Sequence, residues 1–209
     1  MNIDDMYSQL GSMVTDQDEW SRVPKRAVRV RRLLSNALGE SGISSGEFLE
    51  IGGREDPMSD HVGKRFTYYN LDLDPEVSSP GTIVGDITNC PDIESGRFSV
   101  IASHDVFEHI DRPWLAASEI QRLLRPGGLV FVSTLFSWRY HLCPKDYWRY
   151  TPEALRVLFA EFAEIFAVWD VHERRRDIRR MSNQSPVAID SFGGWRENVR
   201  VAYAGVKRG

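Results

Sequence analysis

Short apolar segments alternate with helical or irregular segments along most of this sequence, and this alternation constrains the fold more than any other feature. Seven segments have the short, apolar, β-branched or aromatic pattern of strands. They cover residues 47–51, 66–71, 81–84, 98–102, 129–132, 165–171 and 198–206. Helices are predicted over residues 23–38, 113–124 and 151–162. Such alternation predicts an α/β fold with a doubly wound, mostly parallel seven-stranded sheet.

The chain length of 209 residues suits a single domain over residues 1–209. An N-terminal helical segment is expected over residues 1–40 and the sheet core over residues 44–209. Within the core, residues 172–196 are polar and arginine-rich, which predicts an excursion over the surface. The four residues 125–128 contain proline and two glycines, which predicts a turn.

Composition excludes several classes of protein. The net charge of -4 argues against a dedicated nucleic-acid binder, and no apolar run reaches the ~18 residues of a membrane span. The N-terminus lacks the pattern of a signal peptide, so a cytoplasmic location is expected. Cys90 and Cys143 are too few for a disulfide framework and wrongly spaced for a zinc site, and no metal site is expected.

Glycines and acidic residues lie at the ends of three successive predicted strands. Glu50 precedes Gly52 and Gly53 at the first strand end, Asp72 follows the second strand, and Asp86 follows the third. Ligands of doubly wound sheets bind outside the carboxyl ends of the strands, so these residues should meet. Asp72 lies 22 residues after Glu50, close to the ~20-residue spacing of an acid that binds ribose hydroxyls. The set predicts an adenosine site, and the incomplete glycine pattern disfavours NAD.

Five consecutive segments resemble the motifs of class I S-adenosylmethionine-dependent methyltransferases, in order and in spacing. They are residues 48–53, 69–75, 85–87, 98–110 and 123–132. Residues 146–152 further resemble a subset of small methyltransferase domains associated with glycan or secondary-metabolite pathways. The resemblance covers residues 47 to about 160 and implies a Rossmann-like methyltransferase fold with an antiparallel last strand. It also implies S-adenosyl-L-methionine as the cofactor.

The same resemblance implies roles for individual residues in cofactor binding. Glu50, Gly52 and Gly53 would line the amino-acid end of the cofactor. Asp72, with Leu73 beside it, would bind the ribose. The other implied contacts are Asp86 and Ile87 to the adenine, and Ser103 and His104 to the methionine moiety. Arg54 is expected in the cofactor site, but how it helps to hold the cofactor carboxylate is open. The departure from the family pattern is at residues 54–57, where Pro57 predicts a short or irregular first crossover.

Methyl transfer requires that the acceptor be aligned and deprotonated, and a neutral histidine can accept the proton. His141 follows the fifth predicted strand and is the first candidate for the catalytic base. His109 follows the fourth strand and is the second candidate, and His104 is a weaker one. Asp146 and Tyr150 are lesser candidates, and a reaction without a general base is a further alternative.

Six aromatic residues lie within residues 136–150, beside several charged residues. This density is typical of a small-ligand pocket, so Trp138, Tyr140 and Asp146 are predicted to contact the acceptor. The alternative is a structural loop pinned to the sheet. The first half of the segment is the better candidate for acceptor contact, and residues 146–150 the better candidate for anchoring the next helix.

The leading functional hypothesis is methyl transfer to a small-molecule or sugar acceptor, with oxygen favoured over nitrogen or carbon. Methylation of RNA or protein is a second hypothesis, supported only by the arginines within residues 22–32 and 174–180. A degenerate cofactor-binding partner subunit is a third, supported by the unusual turn at Arg54. The expected partners are a small acceptor and, as one option, a second copy of the chain in a homodimer. No membrane or nucleic-acid partner is expected.

Overall fold

The computed structural model describes residues 26–54, 57–77, 81–138, 140–176 and 195–209. Its α-helices are α1 (Arg26–Ser41), α2 (Ser59–Val62), α3 (Pro113–Leu123) and α4 (Pro152–Leu158). Its strands are β1 (Gly46–Ile51), β2 (Phe66–Asp72), β3 (Thr82–Val84), β4 (Phe98–His104), β5 (Leu124–Ser137), β6 (Phe162–Arg176) and β7 (Trp195–Lys207). Short 3-10 turns cover Gly63–Arg65 and Phe107–His109. No helix in the described ranges is long and apolar enough to cross a membrane.

The seven strands form one sheet in the order β3-β2-β1-β4-β5-β7-β6. Strands β1 to β5 pair in parallel, and β7 lies antiparallel to both β5 and β6. The predicted doubly wound sheet with an antiparallel last strand is therefore confirmed. The direction of winding reverses between β1 and β4, and the crevice at such a reversal is where open α/β sheets bind ligands.

Helices cover both faces of the sheet because the central strands are apolar on both sides. Phe48, Val100 and Phe131 belong to one buried cluster, which also includes Val30 and Leu34 of α1. Their neighbours along the same strands belong to a second buried cluster, which α3 and α4 cover. That cluster includes Leu49, Ile101, Val130, Ile120 and Leu155. The alternation follows from the two-residue period of a strand.

The parallel register brings the carboxyl ends of the central strands to one edge. Ile51 lies opposite Leu71 of β2 and opposite Ser103 of β4, and His104 lies opposite Ser133 of β5. The residues that follow these strands therefore share one side of the sheet. The first crossover is short and irregular, as predicted: its described residues between β1 and β2 form α2 and a 3-10 turn.

The structure corrects several predicted boundaries. The polar excursion predicted over residues 172–196 is wrong at its ends, because β6 reaches Arg176 and β7 begins at Trp195. These ends pair as an antiparallel ladder, whose backbone hydrogen bonds form whatever the polarity of the side chains. Residues 177–194 of that segment and residues 1–25 of the predicted N-terminal segment lie outside the described residues.

Two further boundaries differ near the helices. The helix predicted over residues 151–162 begins as expected, with Thr151 accepting a hydrogen bond from Ala154 N at 3.1 Å. It ends at Leu158, because Phe162 is already the first residue of β6. The turn predicted over residues 125–128 is an irregularity within β5: Phe98 pairs with Leu124, whereas the next paired residue, Val100, faces Leu129.

Candidate functional site

The turn after β1 is tightly built around a buried carboxylate. Glu50 is 2% exposed, and its Oε2 accepts hydrogen bonds from Met58 N at 2.7 Å and from the Tyr68 hydroxyl at 2.6 Å. Gly53 donates its N–H to Asn70 Oδ1 at 2.9 Å. A Cβ atom at Gly53 would lie only 2.6 Å from Glu50 Cδ, so only glycine fits this turn without displacement. The backbone of the turn is therefore open to close approach by a ligand.

Asp72 ends β2 and is held by Arg54. The Arg54 Nε donates to Asp72 Oδ2 at 2.7 Å, Nη2 donates to Oδ1, and Asp74 N also donates to Oδ1 at 2.9 Å. Burial alone would raise the pKa of Asp72, but these donors outweigh it and the pKa is lowered. Asp72 is therefore an ionised acceptor at neutral pH. Sequence reasoning left the role of Arg54 open, and the structure shows it as the partner of Asp72.

The predicted adenine side of the site is more open. Asp86 is exposed, and its Oδ1 accepts from Thr88 N at 2.8 Å in a local turn. Ile87 is 5% exposed and packs in the core, whereas Leu73, next to Asp72, is 65% exposed. An exposed leucine beside an ionised aspartate offers an apolar surface next to a hydroxyl acceptor, which is the pair of features that an adenosine needs.

The end of β4 and the adjacent part of β5 carry buried polar atoms without partners among the described residues. Ser103 Oγ and Ser133 Oγ are buried and have no hydrogen-bond partner within the described residues, and the same holds for His104 Nε2. His104 Nε2 lies 3.6 Å from Asp105 Oδ2. Asp105 has a positive φ of 51° and faces the buried Arg200 guanidinium at 3.4 Å. Unpartnered buried polar atoms are uncommon, and here they lie where the methionine end of the cofactor is expected.

These residues fit S-adenosyl-L-methionine. Asp72 would accept hydrogen bonds from the ribose, Leu73 would pack on the adenosine, and the Gly52–Gly53 backbone would approach the amino-acid end. Gly52 has a positive φ of 76°, and an added Cβ there would lie 2.6 Å from a Val106 methyl carbon. Both glycines are thus required by the turn itself, which leaves no side chain over the strand ends.

His109 and His141 come together on the segment that follows the sheet edge. Their ring centroids are 4.8 Å apart at an interplanar angle of 73°. His109 Nδ1 lies 2.5 Å from the Lys145 carbonyl oxygen, and His141 Nδ1 lies 3.2 Å from Asp146 Oδ2. A carbonyl oxygen and an ionised carboxylate can only accept, so both rings carry their hydrogen on Nδ1. Nε2 is then the basic nitrogen of each ring.

Asp146 is the centre of this segment. Its side chain is 1% exposed, it accepts from the His141 backbone N at 2.8 Å, and Arg149 Nη2 donates to its Oδ2 at 2.7 Å. The Arg149 hydrogen bonds lower the pKa of Asp146 to about 2. Asp146 is therefore a permanently charged orienting group and too weak a base to accept a proton near neutral pH. This geometry favours an orienting role for Asp146 over the direct contact with an acceptor that was predicted from the sequence.

Glu108 lies next to the two histidines and was missed by sequence reasoning. It is 0% exposed, its Oε2 accepts from the Thr134 hydroxyl at 2.7 Å, and burial raises its pKa to about 7. Its backbone oxygen accepts from Tyr147 N at 2.8 Å and Trp148 N at 3.2 Å. Glu108 thereby ties the turn after β4 to the segment after β5. In the sequence, only the position of Glu108 next to His109 pointed to a role in the site.

The aromatic residues of this segment divide into an exposed and a buried group. Tyr140 is 70% exposed, and Trp138 is half-buried with its ring 4.8 Å from the Arg200 guanidinium carbon. Tyr150 is 4% exposed, and its hydroxyl donates to the Phe107 carbonyl at 3.0 Å. Arg200 also pairs with Asp105 just after β4, at 3.4 Å. Trp138 therefore lies near the strand end where the cofactor is predicted, and Tyr150 anchors the segment.

Comparison with known proteins identifies the class. The family model for the methyltransferase domain matches residues 21–176, which is most of the chain. The chain therefore belongs to the methyltransferase-domain family, and it is an S-adenosylmethionine-dependent methyltransferase. No curated protein matches the sequence significantly.

Solved structures share the fold at low sequence identity. The YcgJ protein of Bacillus subtilis matches with a TM-score of 0.60 and 13% identity, covering 84% of this chain and 99% of that one. An S-adenosylmethionine-dependent methyltransferase of Methanosarcina mazei matches with a TM-score of 0.58 and 11% identity, covering 84% and 97%. A structure described by the conversion of a disulfide bond into a thioacetal group during echinomycin biosynthesis matches with a TM-score of 0.56 and 16% identity, covering 84% and 81%.

Proposed function

We propose that this methyltransferase methylates a hydroxyl oxygen of a small-molecule or sugar acceptor in a cytoplasmic biosynthetic pathway, with His141 as the general base. The observation that carries the proposal is the His141–Asp146 pair, at 3.2 Å, beside the predicted cofactor site. The cofactor, when bound, supplies a methyl group on an activated sulfonium leaving group. The residues of this chain have to bind the acceptor, align it and accept its proton.

The histidine pair supports oxygen as the methylated atom. A hydroxyl is protonated at neutral pH and must lose its proton as the methyl group arrives, so it needs a base nearby. The ionised Asp146 holds His141 with its hydrogen on Nδ1 and stabilises the imidazolium that forms. His109 is the second candidate, although burial lowers its pKa and so weakens it as a proton acceptor.

The surroundings of the pair support a small acceptor. Tyr140 and Leu142 are 70% and 67% exposed, and Trp138 is fixed against Arg200, so the cluster borders an apolar, partly aromatic surface. Aromatic surface with a few oriented polar groups is the usual lining of small-ligand sites. The structural similarity to the protein of echinomycin biosynthesis supports a biosynthetic role.

Arg29, one of the arginines that suggested a macromolecular acceptor, gives that hypothesis no support. Arg29 of the predicted basic face is turned inward, with its side chain 11% exposed and its Nε 3.5 Å from the buried Asp170. It therefore stabilises the contact between α1 and β6 and offers no charge to a phosphate backbone. A homodimer stays a prediction.

An acceptor screen tests the proposal. The protein is incubated with S-adenosylmethionine and a panel of hydroxylated small molecules and sugars, matched with their amino and deoxy analogues, and products are examined by mass spectrometry. We expect the gain of one methyl group on hydroxylated acceptors and none on the deoxy analogues. Methylation of the amino analogues alone would contradict oxygen as the target. Methylation of RNA alone, with salt-sensitive RNA binding, would contradict the small acceptor.

A further inference from the structure

Three metal-ligating side chains from distant parts of the sequence meet at one point of the fold. Glu108, His109 and His141 each offer one ligand atom, and these atoms all lie within 4.8 Å of one another. Glu108 Oε1 is 3.9 Å from His109 Nε2. The two histidines are 32 positions apart in the sequence, so no local spacing pattern could reveal the cluster.

The Glu108 carboxylate points independently to a cation. Its side chain is fully buried, and Oε1 has no hydrogen-bond partner within the described residues, whereas Oε2 accepts from Thr134. A buried carboxylate oxygen without a donor is costly, and such atoms are rare in native proteins. The unpartnered oxygen lies on the side of the carboxylate that faces the His109 ring. A positive ion between them would satisfy it.

The outer contacts of all three residues match those of metal ligands. His109 donates Nδ1–H to the Lys145 carbonyl at 2.5 Å, and His141 lies 3.2 Å from Asp146 Oδ2 through Nδ1. Metal-binding histidines almost always donate their second ring N–H to a carbonyl or carboxylate, and ligating carboxylates are hydrogen-bonded in turn. Both imidazoles are thereby oriented in the way that metal-binding histidines usually are.

We propose that Glu108, His109 and His141 bind one divalent transition-metal ion of the zinc class. Two imidazole nitrogens and one carboxylate oxygen suit Zn²⁺ or Co²⁺, whereas Mg²⁺ and Ca²⁺ prefer oxygen ligands alone. Metal–nitrogen bonds of ~2.1 Å in a tetrahedral site place the ligand atoms about 3.4 Å apart. The side chains must therefore close by about 1 Å, and His141, at 36% side-chain exposure, is the most exposed of the three.

The ion and the proposed proton transfer exclude each other. The Nε2 lone pair of His141 can hold a metal ion or a proton, but not both. Zn²⁺ should therefore inhibit methyl transfer, and a chelator should restore it. The metal site itself goes beyond the proposed function and does not depend on it, because binding is measured without cofactor or acceptor.

Calorimetry with Zn²⁺ and visible absorption with Co²⁺ test the site, on full-length protein freed of any affinity tag. We expect one ion per chain and the intense Co²⁺ bands of a four- or five-coordinate site. Loss of an outer-shell partner typically weakens metal binding by about 10–100-fold. Loss of a direct ligand should cost at least as much, so Glu108→Gln and His109→Gln should each weaken binding by at least this factor. His61→Gln is the matched control, because His61 lies on α2 and bonds Ser35 at 2.9 Å.

The outcomes separate the metal site from the base assignment. Equal binding by the wild type, His109→Gln and His61→Gln would overturn the site, since the ion would then bind elsewhere. A ligand variant that melts well below the wild type would not separate lost binding from lost folding. In that case the Co²⁺ spectrum of the wild type decides whether the site exists, and the weak bands of octahedral, water-rich Co²⁺ would overturn the proposal. Activation by a stoichiometric Zn²⁺ ion would support the site and overturn His141 as the base.

Discussion

Replacing Asp72 by alanine should weaken cofactor binding strongly while leaving the fold intact. Asp72 is ionised, its side chain is 3% exposed, and it is the last residue of β2. Loss of a charged acceptor from two ribose hydroxyls costs about 1.5–3 kcal/mol, which corresponds to about 10–150-fold in affinity. Arg54 would lose Asp72 but keep its ion pair with Asp74 at 3.4 Å, and its side chain is 43% exposed, so the loss of stability should be small.

Isothermal titration with S-adenosylhomocysteine measures this effect without the need for an acceptor. Asp86→Ala is the matched comparison, because its exposed side chain would offer an adenine amino group only one neutral-donor hydrogen bond. We expect a clearly smaller loss of affinity for Asp86→Ala than for Asp72→Ala. Wild-type affinity in a normally folded Asp72→Ala protein would refute the assignment of Asp72 to the ribose.

Three further changes test other parts of the structure. Gly53→Ala should lower the melting temperature and abolish cofactor binding, because the alanine Cβ would lie 2.6 Å from a buried carboxylate carbon. Gly39→Ala, with open space around it, should do neither. Alanine at both Trp138 and Tyr140 should raise the Michaelis constant for the acceptor and spare cofactor affinity; equal damage to both would favour a structural role. A hydrogen bond from a neighbouring arginine lowers the pKa of Glu119 in the folded protein. Ionised Glu119 therefore stabilises the fold at pH values above its pKa in the unfolded chain, and this stabilisation is lost as the pH falls through its pKa in the folded protein. Glu119→Gln should therefore melt below the wild type at pH 7, with the gap closing between about pH 5 and 3; a constant gap would contradict this.

The sequence was sufficient to predict the sheet because its central strands are apolar on both faces and are separated by helical or irregular segments. The ends of β6 and β7 were not predictable in this way, since an antiparallel ladder tolerates the polar residues that suggested a surface excursion. The first helix illustrates a similar limit: apolar periodicity predicted an end near residue 38, whereas α1 continues through Ser41.

The site was predictable where it follows from strand order and hidden where it depends on tertiary contact. Asp72 and the glycine turn lie at strand ends, which the alternation of elements locates. The pairing of His141 with Asp146 and the burial of Glu108 depend on how the segment after β5 folds back over the turn after β4. Nothing in the spacing of these residues encodes that path.

Turnover of His141→Gln at saturating cofactor, in chelator-treated buffer and with the acceptor found by screening, tests whether His141 is the general base. We expect a fall of roughly 10²–10⁴-fold in rate with unchanged affinity for S-adenosylhomocysteine, and a smaller fall for His109→Gln. If both glutamine variants turn over within a few-fold of the wild type, neither histidine is the base, and the proposed role of the His141–Asp146 pair is wrong.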